Sequence, residues 1–391
     1  MAFLTEEDKK YTNVLDICTH LGDEYGKFSG AIVPPIFQNS LFVSPTECNG
    51  VTAHGYGYSR TSNPTVDIAE RKIAALEGAD GALCFSSGMA AISAAIMYFV
   101  KKDCHIILAA SSYSNVLSIV RDYLPDKFGV EYTFVGGDNP KEIENAIKEN
   151  TTLIYLESPS TMVFKIQDLE AVAKIAKEKG IGTIIDNTYA TPLHQQPLKY
   201  GIDISCHTCS KYLGGHSDIV AGAIAARKEI IQSIQDRERT WFGGCMDPHA
   251  AWLLIRGIRT LPMRLKQHGE NGMKVAKFLE NHPKVKKVFY PGSDTFEQKE
   301  MFAKYLSGTN GLLSFEPKGT WQDIRNFVNK LHYFQNGVSW GGFESLVALS
   351  GANPVQKEYG QPERLVRIHV GLEDIDTLIN DLSQALEVLP D

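Results

Sequence analysis

The sequence lacks long apolar runs, basic clusters and repeated cysteine motifs. No apolar stretch approaches the roughly 20 residues that a membrane-spanning helix needs. The first residues, MAFLTEEDKKYTNV, contain early acidic residues and no apolar segment, so no signal peptide is predicted. Basic residues do not cluster beyond short pairs such as Lys101-Lys102, and the formal charge is −7. We therefore expect a globular protein whose partners include neither nucleic acid nor a membrane.

Cysteine is also scarce, with seven residues in 391. An odd number scattered over a large chain is typical of reduced thiols in the cytoplasm, which is the predicted location. Cys206 and Cys209 form a CxxC, but a structural zinc site usually takes four ligands and the chain has no second CxxC. We expect these two side chains to be packing residues and predict no metal. A metal or redox role for the pair remains the less favoured alternative.

Apolar strands alternate with amphipathic helices from about residue 60 to residue 245, which predicts an α/β fold with a mostly parallel sheet covered on both faces. Later residues predict a long helix over 248–281, with a kink at Pro262, and then a smaller C-terminal α+β domain. The predicted division is an N-terminal arm, a sheet domain and a C-terminal domain, with bounds 1–59, 60–247 and 248–391.

Chemically useful residues follow several of the predicted strands. Ligands of open α/β sheets bind at the carboxyl ends of the strands. The segment Ser86–Met89 connects a strand to a helix and offers backbone N–H groups to a phosphate. Tyr113 follows one predicted strand, and Glu157, Asp186 and Lys211 end three others. The pattern predicts a phosphate site, an aromatic ring, carboxylates and a lysine at one sheet edge.

Each of these residues also has a purely structural interpretation. A Ser-Ser-Gly before a helix is usually only an N-cap, an aspartate at a strand end often caps the next turn, and a lysine is mostly a solvated charge. Their combination is more informative. An enzyme that uses pyridoxal 5′-phosphate needs a lysine for the Schiff base, a carboxylate for the pyridine nitrogen and donors for the phosphate.

With these residues in place, the chain resembles the Cys/Met-metabolism, or trans-sulfuration, family of pyridoxal-phosphate-dependent enzymes. The resemblance covers nearly the whole chain, and its motifs occur in the family's order. They are YGYSRTSNPT (56–65), FSSGMAAI (85–92), YLESPS (155–160), IIDNTYATP (184–192), SKYLGGHSD (210–218), RGIRTLP (256–262), SWGGFESL (339–346) and RIHVGLED (367–374). It implies an aminotransferase-like fold of type I, in which residues 60–247 bind the cofactor.

The resemblance also implies roles for single residues. Lys211 would carry the cofactor and then move protons, Asp186 would pair with its pyridinium nitrogen, and Tyr113 would stack on its ring. The phosphate would be bound by the N–H groups of Gly88 and Met89 and by the hydroxyls of Thr208 and Ser210.

Other implied roles concern the substrate and a second subunit. Tyr58 and Arg60 would reach the phosphate of a neighbouring subunit, so the arm would complete the neighbour's site. The resemblance therefore implies at least a homodimer, and commonly a homotetramer. Arg367 would bind the substrate α-carboxylate through a two-pronged hydrogen bond, with Ser339 and Trp340 beside the substrate. Lys211, Tyr113 and Tyr58 are the expected catalytic residues.

The motifs differ in the reaction they favour. SWGGFES with Trp340, and ESPSTMVF, resemble the enterobacterial type of cystathionine β-lyase. YSRTSNPT resembles the γ-synthase and γ-lyase branches, and Val338 is shared with methionine γ-lyases, although Asn115 replaces a cysteine of those enzymes. We expect a carbon–sulfur lyase that splits cystathionine into homocysteine, pyruvate and ammonia. The alternatives are a γ-lyase of cystathionine or methionine, a γ-synthase acting on O-substituted homoserine, and a cofactor-holding protein without turnover.

Overall fold

The computed structural model describes residues 3–43 and 55–391, which form two β-sheets with helices packed around them. Residues 1–2 and 44–54 of the predicted arm, including Cys48, lie outside the described residues. Within the described part of the chain, no helix has an apolar stretch long enough to cross a bilayer. The predicted domain boundaries, at residues 59/60 and 247/248, stay predictions.

The first sheet has seven strands in the order β1-β7-β6-β5-β4-β2-β3. Its strands are β1 (Gly81–Phe85), β2 (His105–Ala109), β3 (Glu131–Val135), β4 (Thr151–Glu157), β5 (Gly182–Asp186), β6 (Ile204–His207) and β7 (Gly222–Ala226). The pairs from β6 to β3 are parallel, whereas β7 runs antiparallel to β1 and β6. The predicted mostly parallel sheet is confirmed.

Helices precede and separate these strands. They are α1 (Val14–His20), α2 (Pro64–Glu77), α3 (Gly88–Phe99), α4 (Ser114–Ser118), α5 (Leu124–Phe128), α6 (Pro140–Ala146), α7 (Leu169–Lys179), α8 (Thr191–His194), α9 (Lys228–Ile234) and α10 (Thr240–Phe242). Short 3-10 turns cover Asp8–Lys10, Tyr25–Phe28 and Pro197–Tyr200, and π-helical turns cover Ile119–Tyr123 and Gln235–Arg239.

Helix α2 shows how the local sequence sets helix bounds. The Asn63 side chain accepts a hydrogen bond from the N–H of Thr65, and Pro64 occupies the first helical position, which needs no N–H donor. Gly78 ends the helix at φ +66°, a conformation that favours glycine. These local signals set the bounds of the helix at Pro64 and Glu77.

The second sheet has five strands in the order β10-β11-β12-β9-β8. Its strands are β8 (Val285–Phe289), β9 (Leu312–Pro317), β10 (Gln335–Asn336), β11 (Leu346–Gly351) and β12 (Arg364–His369). The accompanying helices are α11 (Pro248–Glu280), α12 (Lys299–Tyr305), α13 (Trp321–Lys330), α14 (Pro354–Glu358) and α15 (Ile375–Leu386). Helix α11 continues through Pro262.

The strand ends of the first sheet place the polar residues together. Glu157 and Asp186 are the last residues of β4 and β5 and are paired in register. Lys211 lies four residues beyond the end of β6, in a turn where its N–H donates to Thr208 O at 3.1 Å. The predicted strand end at Lys211 is therefore wrong by a few residues, because the chain turns immediately after His207.

Candidate functional site

A cleft of about 710 Å³ opens at the carboxyl edge of the first sheet and extends to the second sheet. Ten of the predicted site residues line it: Gly88, Met89, Tyr113, Asp186, Thr208, Ser210, Lys211, Ser339, Trp340 and Arg367. The first seven come from the first sheet and its connections, and the last three come from the region of the second sheet. The cleft therefore depends on how the two sheets pack.

Lys211 projects a half-buried amine into this cleft. Its Nζ donates to Ser339 Oγ at 2.7 Å and lies 5.5 Å from the centre of the Trp340 ring. Burial, together with the nearby Arg367 cation, lowers the pKa of the Lys211 amine to about 8, against the opposing charges of Asp186 and Glu344. A nucleophilic amine must be neutral, so this lowered pKa favours covalent chemistry.

Asp186 presents one bonded and one open carboxylate oxygen. Its Oδ1 accepts hydrogen bonds from the N–H and the hydroxyl of Thr188, at 2.9 Å and 2.5 Å. The N–H of Thr208 donates in turn to Thr188 Oγ1 at 2.8 Å. Within the described part of the chain, Oδ2 accepts no hydrogen bond. Because burial raises the pKa of this carboxyl group, a cation beside Oδ2 would stabilise its charged form.

Glu157 is a member of the site to which the sequence assigned no role. It is buried, and its Oε2 accepts the N–H of Tyr113 at 2.7 Å. Burial and the charge of Asp186 raise the pKa of Glu157 to about 8. The sequence signals were that Glu157 ends a strand at the same edge as Asp186 and that it lies in the motif YLESPS (155–160). The structure adds that it anchors the backbone of Tyr113, whose hydroxyl accepts from Asn115 Nδ2 at 2.9 Å.

The N-terminus of α3 forms a narrow cradle against Thr208. A Cβ at Gly88 would lie only 2.1 Å from Thr208 Oγ1, so this close approach requires glycine. The Ser87 side chain caps the helix by accepting the N–H of Ala90 at 3.1 Å. The N–H groups of Gly88 and Met89 are thus left for an anion at the positive end of the helix. Ser210 lines the cleft beside them.

Arg367, on β12, forms the opposite side of the cleft. One guanidinium nitrogen, Nη2, donates to the carbonyls of Val338 and Ser339, at 2.6 Å and 3.5 Å. Burial lowers the pKa of Arg367 to about 10, so the group stays cationic at neutral pH. The side chain can therefore offer charge to a substrate carboxylate near Lys211.

Tyr58 and Arg60 do not line the cleft of their own chain. The Arg60 guanidinium lies 5.4 Å from the centre of the Tyr58 ring and donates to the carbonyl of Thr240. The Tyr58 side chain is 48% exposed. The resemblance implies that both residues reach the phosphate of a neighbouring subunit, and in the described chain Tyr58 is exposed and Arg60 is half-buried.

The residues of the cleft fit pyridoxal phosphate on geometric grounds. Three features match the groups of that cofactor. The open Oδ2 of Asp186 suits its pyridinium cation, the cradle at Gly88 suits its phosphate, and the amine of Lys211 suits its aldehyde. Cys206 and Cys209 are both buried. Among residues 3–43 and 55–391, no three or more His, Cys, Asp and Glu side chains group in a way that could hold a metal ion.

Comparison with known proteins assigns the fold and the cofactor. The sequence model of the Cys/Met metabolism PLP-dependent enzymes matches residues 16–387. The chain belongs to this family. It is 39% identical over 374 residues to a cystathionine gamma-lyase of Bacillus subtilis, covering 94% of this chain and 96% of that protein. It is 36% identical over 384 residues to a cystathionine beta-lyase of Lactococcus lactis, covering 96% and 99%.

A solved structure of metB from Corynebacterium glutamicum superposes with a TM-score of 0.91 at 33% identity, covering 97% of this chain and 99% of that one. The predicted type I fold, the pyridoxal-phosphate cofactor and the class of carbon–sulfur lyase are thereby confirmed. The roles of the single site residues stay predictions.

Proposed function

We propose that this enzyme cleaves the Cβ–S bond of cystathionine, taking up water and yielding homocysteine, pyruvate and ammonia. The observation that carries the proposal is the composition of the cleft wall opposite Lys211. There Trp340 lies 5.5 Å from the lysine amine, and the neighbouring Val338 offers no group that ionises. A bulky ring and an apolar side chain favour β-elimination, which needs fewer proton transfers than γ-elimination.

Lys211 is the proposed base. When bound, pyridoxal phosphate draws electrons away from the substrate Cα and so makes the Cα proton acidic. Lys211 Nζ takes that proton, and the Cβ–S bond then breaks with its electron pair leaving on sulfur. The departing homocysteine thiolate then takes up a proton and becomes the free thiol. The Ser339 hydroxyl, 2.7 Å from Nζ, orients the amine toward the substrate side of the cleft.

The remaining residues bind and orient. Asp186 Oδ2 would pair with the protonated pyridine nitrogen of the bound cofactor, while Thr188 fixes Oδ1. Gly88, Met89, Thr208 and Ser210 would bind its phosphate, and Tyr113 would cover its ring. Arg367 lines the cleft, and its guanidinium would bind the substrate α-carboxylate there.

The choice of bond follows from the number of proton transfers. A β-leaving group departs after one deprotonation at Cα, whereas a γ-leaving group requires a second one at Cβ. Glu344 is the acid closest to this wall in sequence, but it does not line the cleft, and its Oε1 accepts a hydrogen bond from Ser217 Oγ at 2.5 Å. The turn from 338 to 342 itself contains no carboxylate for the second step or for the distal amine of a γ-substrate.

A γ-elimination is the second candidate because a relative at 39% identity is named for it. That reaction would release 2-oxobutanoate and cysteine from cystathionine. The deciding experiment supplies the holoenzyme with cystathionine, methionine, cysteine and O-acetylhomoserine separately and identifies the keto acid and the thiol. Pyruvate with homocysteine supports the proposal. Dominant 2-oxobutanoate, or methionine turning over faster than cystathionine, overturns it.

We also propose that two subunits complete each site, within a cytoplasmic homotetramer. The support is the exposed position of Tyr58 beside Arg60, outside the cleft of their own chain. Arg60→Ala and Lys211→Ala would then damage different parts of a shared site. After subunit exchange, an equal mixture of the two inactive variants should recover about a quarter of wild-type activity, since about half the dimers are mixed with one intact site each. No recovery, once mixed dimers are demonstrated by mass, would place the whole site within one chain.

A further inference from the structure

A pair of buried histidines lies directly behind the cleft wall that carries Trp340. His268 and His369 have ring centres 5.0 Å apart, and both side chains are buried. The Tyr212 ring, next in sequence to Lys211, packs against both imidazoles at 5.3 Å and 5.7 Å. Tyr212 also packs against Trp340 at 5.5 Å. The imidazoles thus support both the turn that carries Lys211 and the 338–342 turn that carries Trp340.

Each imidazole has a defined hydrogen-bonding role. His268 Nδ1 donates to the carbonyl of Val370 at 2.9 Å, and His369 Nε2 donates to the carbonyl of Gly342 at 3.1 Å. Carbonyl oxygens only accept, so each of these nitrogens carries a proton. Burial lowers the pKa of both histidines, and a neutral ring has only one N–H. The single N–H donor of His369 is therefore bonded to the 338–342 turn.

Strand β12 holds this turn at both ends. Arg367 and His369 are two residues apart on the strand, so their side chains leave the same face. Arg367 donates to the carbonyls of Val338 and Ser339, and His369 donates to Gly342. Between these anchors, a Cβ at Gly341 would lie 2.7 Å from Tyr212 N, and its φ is +81°. The turn thus packs closely on the backbone beside Lys211.

We propose that His369 is a positioning residue that sets the depth of the substrate pocket. Its N–H holds Gly342, which keeps the 338–342 turn against Tyr212 and keeps Trp340 over the lysine amine. Loss of that donor lets the turn move outward, so a longer or differently folded substrate fits over the cofactor. The effect on substrate choice rests on the proposed lyase function, whereas the effect on the turn itself does not.

The test compares three variants of the holoenzyme. His369→Phe keeps a ring of similar size but removes the donor, and His369→Gln restores an N–H at about the same distance from the backbone. His105→Phe is the matched control, because His105 is a buried histidine in β2 that contacts Thr151 and Thr133, away from the cleft. Hydrogen–deuterium exchange of peptides covering 338–343 is measured first, and the KM and kcat for cystathionine follow.

We expect exchange of the 338–343 amides to be about tenfold faster in His369→Phe, as for the loss of one hydrogen bond that restrains a turn. The KM should rise about fivefold with a smaller change in kcat. His369→Gln should return both values toward wild type, and His105→Phe should change neither. If His369→Phe does not fold, His369→Asn, whose amide is too short to reach Gly342, replaces it with the same expected result.

Unchanged exchange in a folded His369→Phe variant would overturn the proposal, as would an equal change in His105→Phe. The exchange measurement needs no turnover. If the wild-type enzyme makes no pyruvate from cystathionine, the proposed function fails while the positioning role of His369 is still decided.

Discussion

The two sides of the cleft are built by different means. The first side, at the edge of the first sheet, consists of Asp186, Thr188, Thr208 and Lys211, of which the carboxylate and Thr188 are buried and joined by side-chain hydrogen bonds. The second side is the 338–342 turn, which β12 holds mainly through the turn's own carbonyls. There Val338 is 86% exposed. The comparison teaches that the residues proposed to hold the cofactor are fixed by hydrogen bonds of their side chains, while the turn proposed to select the substrate is held by hydrogen bonds to its backbone.

The largest expected effect comes from removing the lysine on the first side. Lys211→Ala loses both the covalent attachment and the base, so turnover should fall at least about 10⁴-fold. Borohydride reduction of the wild-type holoenzyme should leave the pyridoxyl group on Lys211, as read by peptide mass. Lys72 is the internal control: burial also lowers its pKa to about 8, but it donates to the carbonyls of Ile17 and Cys18. A label on Lys72 would contradict the assignment.

The next effect concerns the carboxylate on the same side. Asp186→Asn would remove one partner of the proposed ion pair with the pyridinium nitrogen, which costs about 3–5 kcal/mol and corresponds to a loss of cofactor affinity of about 10²–10⁴-fold. Equilibrium titration of the cofactor-free protein with pyridoxal phosphate measures it. Thr188→Val should weaken binding far less, about fivefold, because it removes one hydrogen bond to a carboxylate that remains. Equal losses in both variants would mean that Asp186 acts only through Thr188.

A pH experiment tests whether the two sides are electrically coupled. In the cofactor-free protein the pKa of Lys211 is lowered to about 8, and only the neutral amine attaches the cofactor. The attachment rate should therefore rise about tenfold per pH unit below pH 8 and level off above it. Arg367→Met removes a cation that lowers this pKa, so the midpoint should move to higher pH.

Arg364→Met, on the same strand but paired with Glu363, should leave the midpoint in place. A midpoint that Arg367→Met does not move would show that burial alone lowers the pKa of Lys211.

A smaller effect than those of Lys211→Ala and Asp186→Asn is expected on the second side. Trp340→Leu removes the ring that lies over the lysine amine, so the ratio of 2-oxobutanoate to pyruvate formed from cystathionine should rise about tenfold. Trp241→Leu, at a residue that is 70% exposed, is the control and should not change the ratio. A ratio that stays constant in Trp340→Leu would remove the selective role of this side.

Local sequence patterns were sufficient for much of the first side. The alternation of apolar strands with helices is found as expected, and Asp186 ends its strand as expected. These features depend on residues that are close in sequence, because helix caps, apolar periodicity and strand ends are local properties of the chain. The position of Lys211 was less accurate, because the turn after His207 follows from packing and not from strand propensity.

The sequence by itself determined the fold class, the cofactor chemistry and the residue types at the sheet edge, because each rests on short-range pattern or on a family motif. Only the tertiary structure decided that Ser339 bonds Lys211, that Glu157 anchors Tyr113 and that His369 holds Gly342. The physical reason is that these partners lie 27 to 128 residues apart in the chain. Hydrogen bonds of that range form only after the two sheets have packed, so no local pattern encodes them.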